Sequence, residues 1–262
     1  EGVAFNQINL EAAGARGIYV CNCAGMNAKA VAEQTLLLML GVIKNVVSGD
    51  QAVRDGRQMA VKMGYMGGGS LKELSDCTVG LIGFGAIARA VADMLQSFGV
   101  TVHYTKRHRL SPEEEARYQV QYLPMDELLK TCDMLSLHVP VTGETAGMCS
   151  REFFAKCRKG SYFINTSRGE LVDDEALREA LENGTIAMAG LDTLDHEPVQ
   201  KDHPVLSWPE ETMAKLLFSP HIGGITGSSF RRGYAMIWED IEKLSRGEKP
   251  GHIVNQKELE QR

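Results

Sequence analysis

Thr78-Val-Gly-Leu-Ile-Gly83-Phe-Gly85-Ala-Ile-Ala88 decides the reading of this chain. A short apolar run of strand composition enters G-x-G-x-x-A, and 87–98 continues at helical spacing. Strand, glycine turn and helix in that order form a pyrophosphate-binding turn. Gly83 permits the tight turn, Gly85 lets backbone approach the phosphates, and Ala88 is small enough for helix–strand packing. The anion then lies on the helix N-terminus, where free N–H groups and the dipole favour negative charge. A lone G-x-G-x-x-A is a weak signal, so the surrounding pattern has to carry it.

Outward from this turn, apolar strand candidates recur at 78–82, 100–105, 134–139, 162–165, 187–192 and 215–219. Between most of them lie helical patterns at 87–98, 125–131, 151–157 and 173–182. This alternation predicts βαβ crossovers and an α/β fold with a doubly wound parallel sheet of the Rossmann type, covered on both faces. Upstream, 17–22 (GIYVCN) reads as a short buried strand, and a helix buried nearly all round starts after Asn27 as a good N-cap. The stretch 63–70 (MGYMGGGS) holds four Gly and reads as a connection between substructures. An amphipathic helix over 228–244 closes the pattern, with Trp238 and Ile241 among its expected buried residues.

Composition narrows the function classes. Of 262 residues 44% are apolar and 24% charged, enough apolar mass for a packed core and incompatible with disorder. The net charge of -6 gives no basic footprint for nucleic acid or a polybasic membrane anchor. The longest strongly apolar run, 36–43, is far short of the ~20 residues of a membrane helix. Six Cys include Cys21 and Cys23 as C-x-C, without the paired C-x-x-C of a zinc ribbon, and read as reduced thiols of a cytoplasmic protein. The histidines lack H-E-x-x-H or comparable spacing, so no metal is expected.

The end of the second strand bears on the cofactor. An NAD site usually places Asp or Glu about 20 residues beyond the glycine turn, to accept from the ribose hydroxyls. Here stands Tyr104-Thr105-Lys106-Arg107-His108-Arg109, with no acid. A hydroxyl followed by cations suits a 2′-phosphate, so Thr105, Lys106 and Arg107 favour NADP over NAD; the competing reading is a solvated basic turn.

Three segments place polar residues just past apolar strands, where the crevice of an open α/β sheet lies. They are Asn165-Thr-Ser-Arg168-Gly169, Asp192-Thr-Leu-Asp-His-Glu197-Pro198 and Ser219-Pro-His221-Ile-Gly223-Gly224. With N-A-K-A-V-A-E-Q-T from Asn27, L-H-V-P from Leu137 and L-V-D-D-E-A-L from Leu171, they resemble the D-isomer-specific 2-hydroxyacid dehydrogenases, over nearly all of the chain. The resemblance implies hydride transfer between a nicotinamide cofactor and a small 2-keto or D-2-hydroxy acid. It implies that Arg168 grips the substrate's carboxylate and keto oxygen, as a guanidinium fork suits. His221 then acts as general acid/base, and Glu197 as the carboxylate that orients it and favours its protonated form. Asp192 matches the position that holds the nicotinamide carboxamide. Further cofactor contacts are implied at Ala86, Ile87, His138, Val139, Pro140, Thr166, Ser167 and Gly223.

Departures from the family pattern also count. Ala86 stands where an Arg often helps hold the pyrophosphate. Gly2-Val3-Ala4-Phe5-Asn6 replaces G-V-G-x-D, leaving backbone donors of Val3 and Ala4 as the expected substrate carboxylate anchor. Family members carry a flavodoxin-like substrate domain ahead of this loop, so the chain reads as N-terminally incomplete. Residues 1–26 are then a partial substrate domain, 27–227 the dinucleotide-binding domain, and 228–262 a segment returning to the substrate domain. The helix near 27–47 resembles the family's dimer-forming arm and implies a homodimer. The alternative reading is a non-catalytic NAD(P)(H)-binding regulator of the same fold.

Overall fold

The structure is a computed structural model that describes residues 2–3, 5, 8–69 and 71–260. Its strands are β1 (Thr78–Ile82), β2 (Thr101–Thr105), β3 (Val120–Tyr122), β4 (Met134–Leu137), β5 (Ser161–Asn165), β6 (Ile186–Leu191) and β7 (Leu216–Phe218). They form one sheet in the order β3-β2-β1-β4-β5-β6-β7, with every neighbouring pair parallel. The order reverses between β1 and β4, which makes their C-terminal ends the topological switch point.

The helices are α1 (Leu10–Ala15), α2 (Ala28–Ile43), α3 (Val46–Arg54), α4 (Gln58–Gly68), α5 (Ala86–Gln96), α6 (Pro112–Tyr118), α7 (Met125–Thr131), α8 (Arg151–Lys156), α9 (Asp174–Glu182), α10 (Glu210–Met213), α11 (Gly227–Ser245) and α12 (Gln256–Glu260). Alternation along the strands divides the core in two. Val79 and Leu81 of β1 join Tyr162 and Ile164 of β5 against α2 and α5. Ile82, Leu135, Leu137 and Phe163 point the other way, against α7, α8 and α9. Two-sided burial explains why these strands read as continuous apolar runs. Local caps fix where helices start. Ser111 and Glu114 form a capping box with Pro112 at N1 of α6, Ser150 caps α8, and Asp173 caps α9. Each such cap is worth about 1 kcal/mol.

Two compact units are present, Val31–Gly223 and a second made of Glu1–Ala30 with Gly224–Arg262. In the second unit, 17–22 forms no strand; only Cys21 bridges Ile253. The buried Asn255 side chain accepts from the Val20 N–H and donates to the Ile18 carbonyl, replacing ladder bonds with side-chain ones. Trp238 and Ile241 are exposed rather than buried, at 62% and 44%. The inward face of α11 is carried instead by Ser229, Gly233 and Asp240, and a Cβ at Gly233 would meet the Met26 sulfur at 2.5 Å.

Other differences are also local. The glycine-rich stretch from 63 is largely helical, as the end of α4, and stops at Gly69 in the left-handed region (φ +55°). Its methionines are good helix formers, which offset the cost of the glycines. Strand β3 has three residues, too few for alternation to register. Helix α2 is buried except along Lys29, Glu33 and Leu37. No single described helix is long and apolar enough to cross a membrane.

Candidate active site

The glycine turn closes over the switch point. Gly83 has φ +92°, and a Cβ there would lie 2.4 Å from the His138 carbonyl oxygen, so only glycine lets β1 leave the sheet so close to β4. Gly85 is the N-cap of α5, without a side-chain cap, and a Cβ on it would meet open space. The first N–H groups of α5, with Ala86 and Ile87 on its first turn, thus have no capping side chain. A cradle that a side chain would fill, beside an uncapped helix start, fits a dinucleotide pyrophosphate.

The basic turn after β2 is already partly paired. Arg109 makes a bidentate contact with Glu115, and the Tyr104 hydroxyl donates to the same carboxylate while accepting from the Leu110 N–H. The exposed Arg107 meets Glu144 at 2.6 Å. Lys106 forms no ion pair among the described residues, and Thr105 is buried at the strand end. After β4, His138 bonds Ser136 through Nε2, whereas its buried Nδ1 has no partner. Burial pushes His138 down to about 3. Val139 packs against the core beside it, and Pro140 accepts from the Thr145 hydroxyl.

Asn165 builds the turn after β5, although the sequence reading gave it no role. Its side chain accepts from the Ser167 N–H and donates to the Arg168 carbonyl, so one buried amide clamps both ends of Thr166-Ser167-Arg168. An Asn as the last residue of an apolar strand was the available signal, through its turn chemistry. Thr166 shares a hydroxyl hydrogen bond with Thr35, and Ser167 donates to the Leu137 carbonyl. The partly exposed Arg168 is extended, with one guanidinium nitrogen donating to the Ser167 carbonyl at 2.7 Å. Gly169 follows in direct backbone contact with the next segment: a Cβ would fall 1.9 Å from Leu194 C and 2.1 Å from Asp195 N.

That segment carries Glu197. Its Oε1 accepts from the Leu194 N–H at 3.0 Å, and its Oε2 accepts from His221 Nδ1 at 2.5 Å. His221 stands after β7 in the left-handed region (φ +56°), with its N–H bonded to the Ser219 carbonyl. Both side chains are partly open, at 42% for His221 and 32% for Glu197. With Nδ1 committed to the carboxylate, Nε2 is the nitrogen left to exchange a proton with a ligand. Asp192 anchors the His221 loop. Buried at 2% exposure, it accepts from the Ser219 hydroxyl and from the Ile222 and Gly223 N–H groups. Gln34 of α2 donates to the Ser219 hydroxyl as well.

Arg168, Glu197 and His221 therefore follow three adjacent strands, β5, β6 and β7, at the same sheet edge as the glycine turn. Val3 belongs to the other unit, where its carbonyl accepts from the Asn22 amide. Ala4 lies outside the described residues. Among the described residues no three His, Cys, Asp or Glu are grouped to hold a metal.

Comparison with known proteins bears on the same residues. The model of the D-isomer specific 2-hydroxyacid dehydrogenase NAD binding domain matches residues 36–223. A glyoxylate reductase of Thermofilum pendens is 35% identical over 260 residues, 99% of this chain and 75% of the relative. Among solved structures, D-lactate dehydrogenase with NAD+ from Lactobacillus jensenii superposes with a TM-score of 0.82 at 30% identity, over 97% of this chain and 76% of that one. A glyoxylate reductase from Paecilomyes thermophila gives a TM-score of 0.83 at 27% identity, over 98% and 74% of the two chains.

Proposed function

This chain belongs to the D-isomer-specific 2-hydroxyacid dehydrogenase family, and on that premise we propose that Arg168, Glu197 and His221 carry its reaction. It is a nicotinamide-dependent oxidoreductase that interconverts a small 2-keto acid and the D-2-hydroxy acid. The observation that carries the residue assignment is the 2.5 Å contact of His221 Nδ1 with Glu197, whose other oxygen is held by the Leu194 N–H.

When bound, the reduced cofactor, NADH or NADPH, would supply the hydride in the reductive direction, and its oxidised form, NAD+ or NADP+, would accept it in the other. Arg168 pairs with the substrate carboxylate and stabilises charge growing on the keto oxygen. His221 delivers a proton from Nε2 to that oxygen, and in the oxidative direction removes it. Glu197 keeps Nδ1 protonated and the ring aimed, and its negative charge stabilises the imidazolium before proton transfer. Gly83, Gly85, Ala86 and Ile87 would hold the pyrophosphate, and Thr105, Lys106 and Arg107 a 2′-phosphate. Asp192, Thr166, Ser167 and Gly223 would face the nicotinamide end; His138, Val139 and Pro140 would line the dinucleotide path.

Glyoxylate is the first substrate to try, because several relatives are glyoxylate reductases. The unpaired Lys106, in a turn lacking an acid, supports NADPH over NADH. The exposed apolar residues Leu37, Met59, Met63 and Met66 on α2 and α4 support a homodimer. We place the protein in the cytoplasm on its reduced-thiol composition. We assign 27–227 to the dinucleotide domain, and 1–26 with 228–262 to the substrate side.

The test is turnover of glyoxylate, hydroxypyruvate and 3-phosphohydroxypyruvate with each cofactor, in wild type and His221→Ala. Turnover lost in His221→Ala with cofactor binding retained supports the acid/base assignment. Cofactor binding without turnover of any 2-keto acid in wild type would favour the regulatory alternative. An NADH preference overturns the cofactor reading, and a monomer by light scattering at micromolar concentration overturns the dimer.

A further inference from the structure

His203 lacks any ligand-type spacing in the sequence, yet it is buried in the unit Val31–Gly223, at 6% exposure. It closes an exposed stretch: residues 196–202 are all exposed, and His203 is the buried residue that ends it. Both ring nitrogens are used. Nε2 lies 2.8 Å from the Asp195 carbonyl oxygen, and Nδ1 lies 3.3 Å from the Val205 N–H at the start of the 3₁₀ turn Pro204–Ser207. A carbonyl only accepts and an N–H only donates. The ring is therefore satisfied in one state alone, neutral with its proton on Nε2.

What His203 holds is the root of the Glu197 turn. Asp195 is pinned on one side by His203 through its carbonyl, and on the other its peptide with Leu194 rests on Gly169. One peptide earlier, the N–H of Leu194 holds Glu197 Oε1, and Glu197 Oε2 holds His221. Beyond Asp195 the chain to residue 202 is exposed, and His203, the next buried side chain, ties the Asp195 carbonyl by a part-buried hydrogen bond. Asp174 also lies beside His203, and burial holds its carboxyl above the ordinary range.

We propose that His203 is a positioning residue for Glu197: by donating to the Asp195 carbonyl it fixes the turn whose carboxylate orients His221. This rests on the acid/base reading of Glu197 and His221. The two hydrogen bonds of His203 can be separated by substitution. In His203→Gln the amide nitrogen occupies the place of Nε2 and retains the donor to Asp195, but the cap on Val205 is lost. In His203→Asn the amide oxygen occupies the place of Nδ1 and retains the cap, but the donor to Asp195 is lost.

The experiment measures kcat, KM, NADPH affinity, the pH–rate profile of reduction and the melting temperature for both variants, beside wild type and Glu197→Gln. His203→Asn is expected to lose about 10- to 100-fold in kcat, the range for a displaced catalytic group. Its NADPH affinity stays at the wild-type value, and its pH–rate profile moves toward that of Glu197→Gln. His203→Gln is expected to retain kcat within about threefold and the wild-type profile, a split that stability alone does not produce. Equal losses in the two variants, tracking a loss of melting temperature or of fold, would overturn the proposal and leave His203 a structural cap. Wild-type kcat in both overturns it too. If Glu197→Gln itself retains full turnover, the underlying acid/base reading fails, whatever the His203 variants do.

Discussion

Gly169→Ala is the sharpest perturbation of the site, because it adds one methyl next to Arg168 without touching a candidate catalytic side chain. The new carbon would fall 1.9 Å from Leu194 C, 2.1 Å from Leu194 O and 2.1 Å from Asp195 N. Comfortable carbon contacts sit near 3.5–4.0 Å, so the two backbones have to part by roughly 1.5 Å. Neither side yields cheaply: Gly169 is buried between the Asn165-clamped turn and Leu171, and Asp195 is tied to His203. Overpacking of this kind costs about 1–3 kcal/mol of stability. The functional loss is larger in proportion, since Glu197 hangs from the displaced peptide and about 1 Å of misplacement can cost on the order of 100-fold in rate. The assay is kcat and KM for glyoxylate reduction at saturating NADPH, with a melting curve and a cofactor titration as controls. Expected are a fall in kcat of about 100-fold, cofactor affinity near wild type and a melting temperature several degrees lower. A kcat within about threefold of wild type in the folded variant would refute the argument that this backbone contact sets the distance between Arg168 and the Glu197–His221 pair.

Four further outcomes follow from the structure. Gly83→Ala forces a left-handed φ of +92° on a residue with a Cβ, 2.4 Å from the His138 carbonyl oxygen; NADPH affinity is expected to fall about tenfold or more, and unchanged fluorescence titrations would contradict this. His138 is held down to about 3 when folded, against about 6.5 unfolded. Below pH 6.5 the unfolded chain therefore takes up a proton that the folded one refuses, and stability present above 6.5 drains away as pH falls toward 3, by at most about 1.4 kcal/mol per pH unit. Urea unfolding at pH 7, 5.5 and 4.5 would show a shallower decline in His138→Asn, and parallel declines would exclude the effect. Glu197→Gln is expected to lower kcat about 100-fold with little change in NADPH affinity, measured by steady-state kinetics and titration. Lys106→Ala is expected to cut kcat/KM for NADPH about tenfold more than for NADH; equal effects on both would remove Lys106 from the phosphate site.

The sequence reading succeeded where pattern and physical cause coincide. β1, β4, β5 and β6 are buried on both faces, so continuous apolar runs marked them, and the glycine turn of Gly83 and Gly85 has a single steric explanation. The segments of Arg168 and Glu197 each follow such a strand, that of His221 follows the edge strand β7, and the roles given to the three came from the family resemblance. Elements that owe their form to partners were less legible. β3 is an edge strand of three residues, and 17–22 takes its hydrogen bonds from the distant Asn255 and the segment around it. Trp238 and Ile241 fit an inward amphipathic stripe, but Gly233 and Ser229 bring the opposite face of α11 inward. Asn165 and His203 act through backbone carbonyls and N–H groups, contacts that residue type alone does not advertise.

The unit Val31–Gly223 holds the glycine turn together with Arg168, Glu197 and His221, and the covalent chain enters it once and leaves it once. The glycine turn and the proposed proton relay thus lie in a single uninterrupted stretch of polypeptide. Such a stretch can be exchanged as one cassette, with a single junction at each end. A chimera that exchanges only the two flanks of this protein with those of a relative should carry over the relative's substrate preference and retain this protein's cofactor preference.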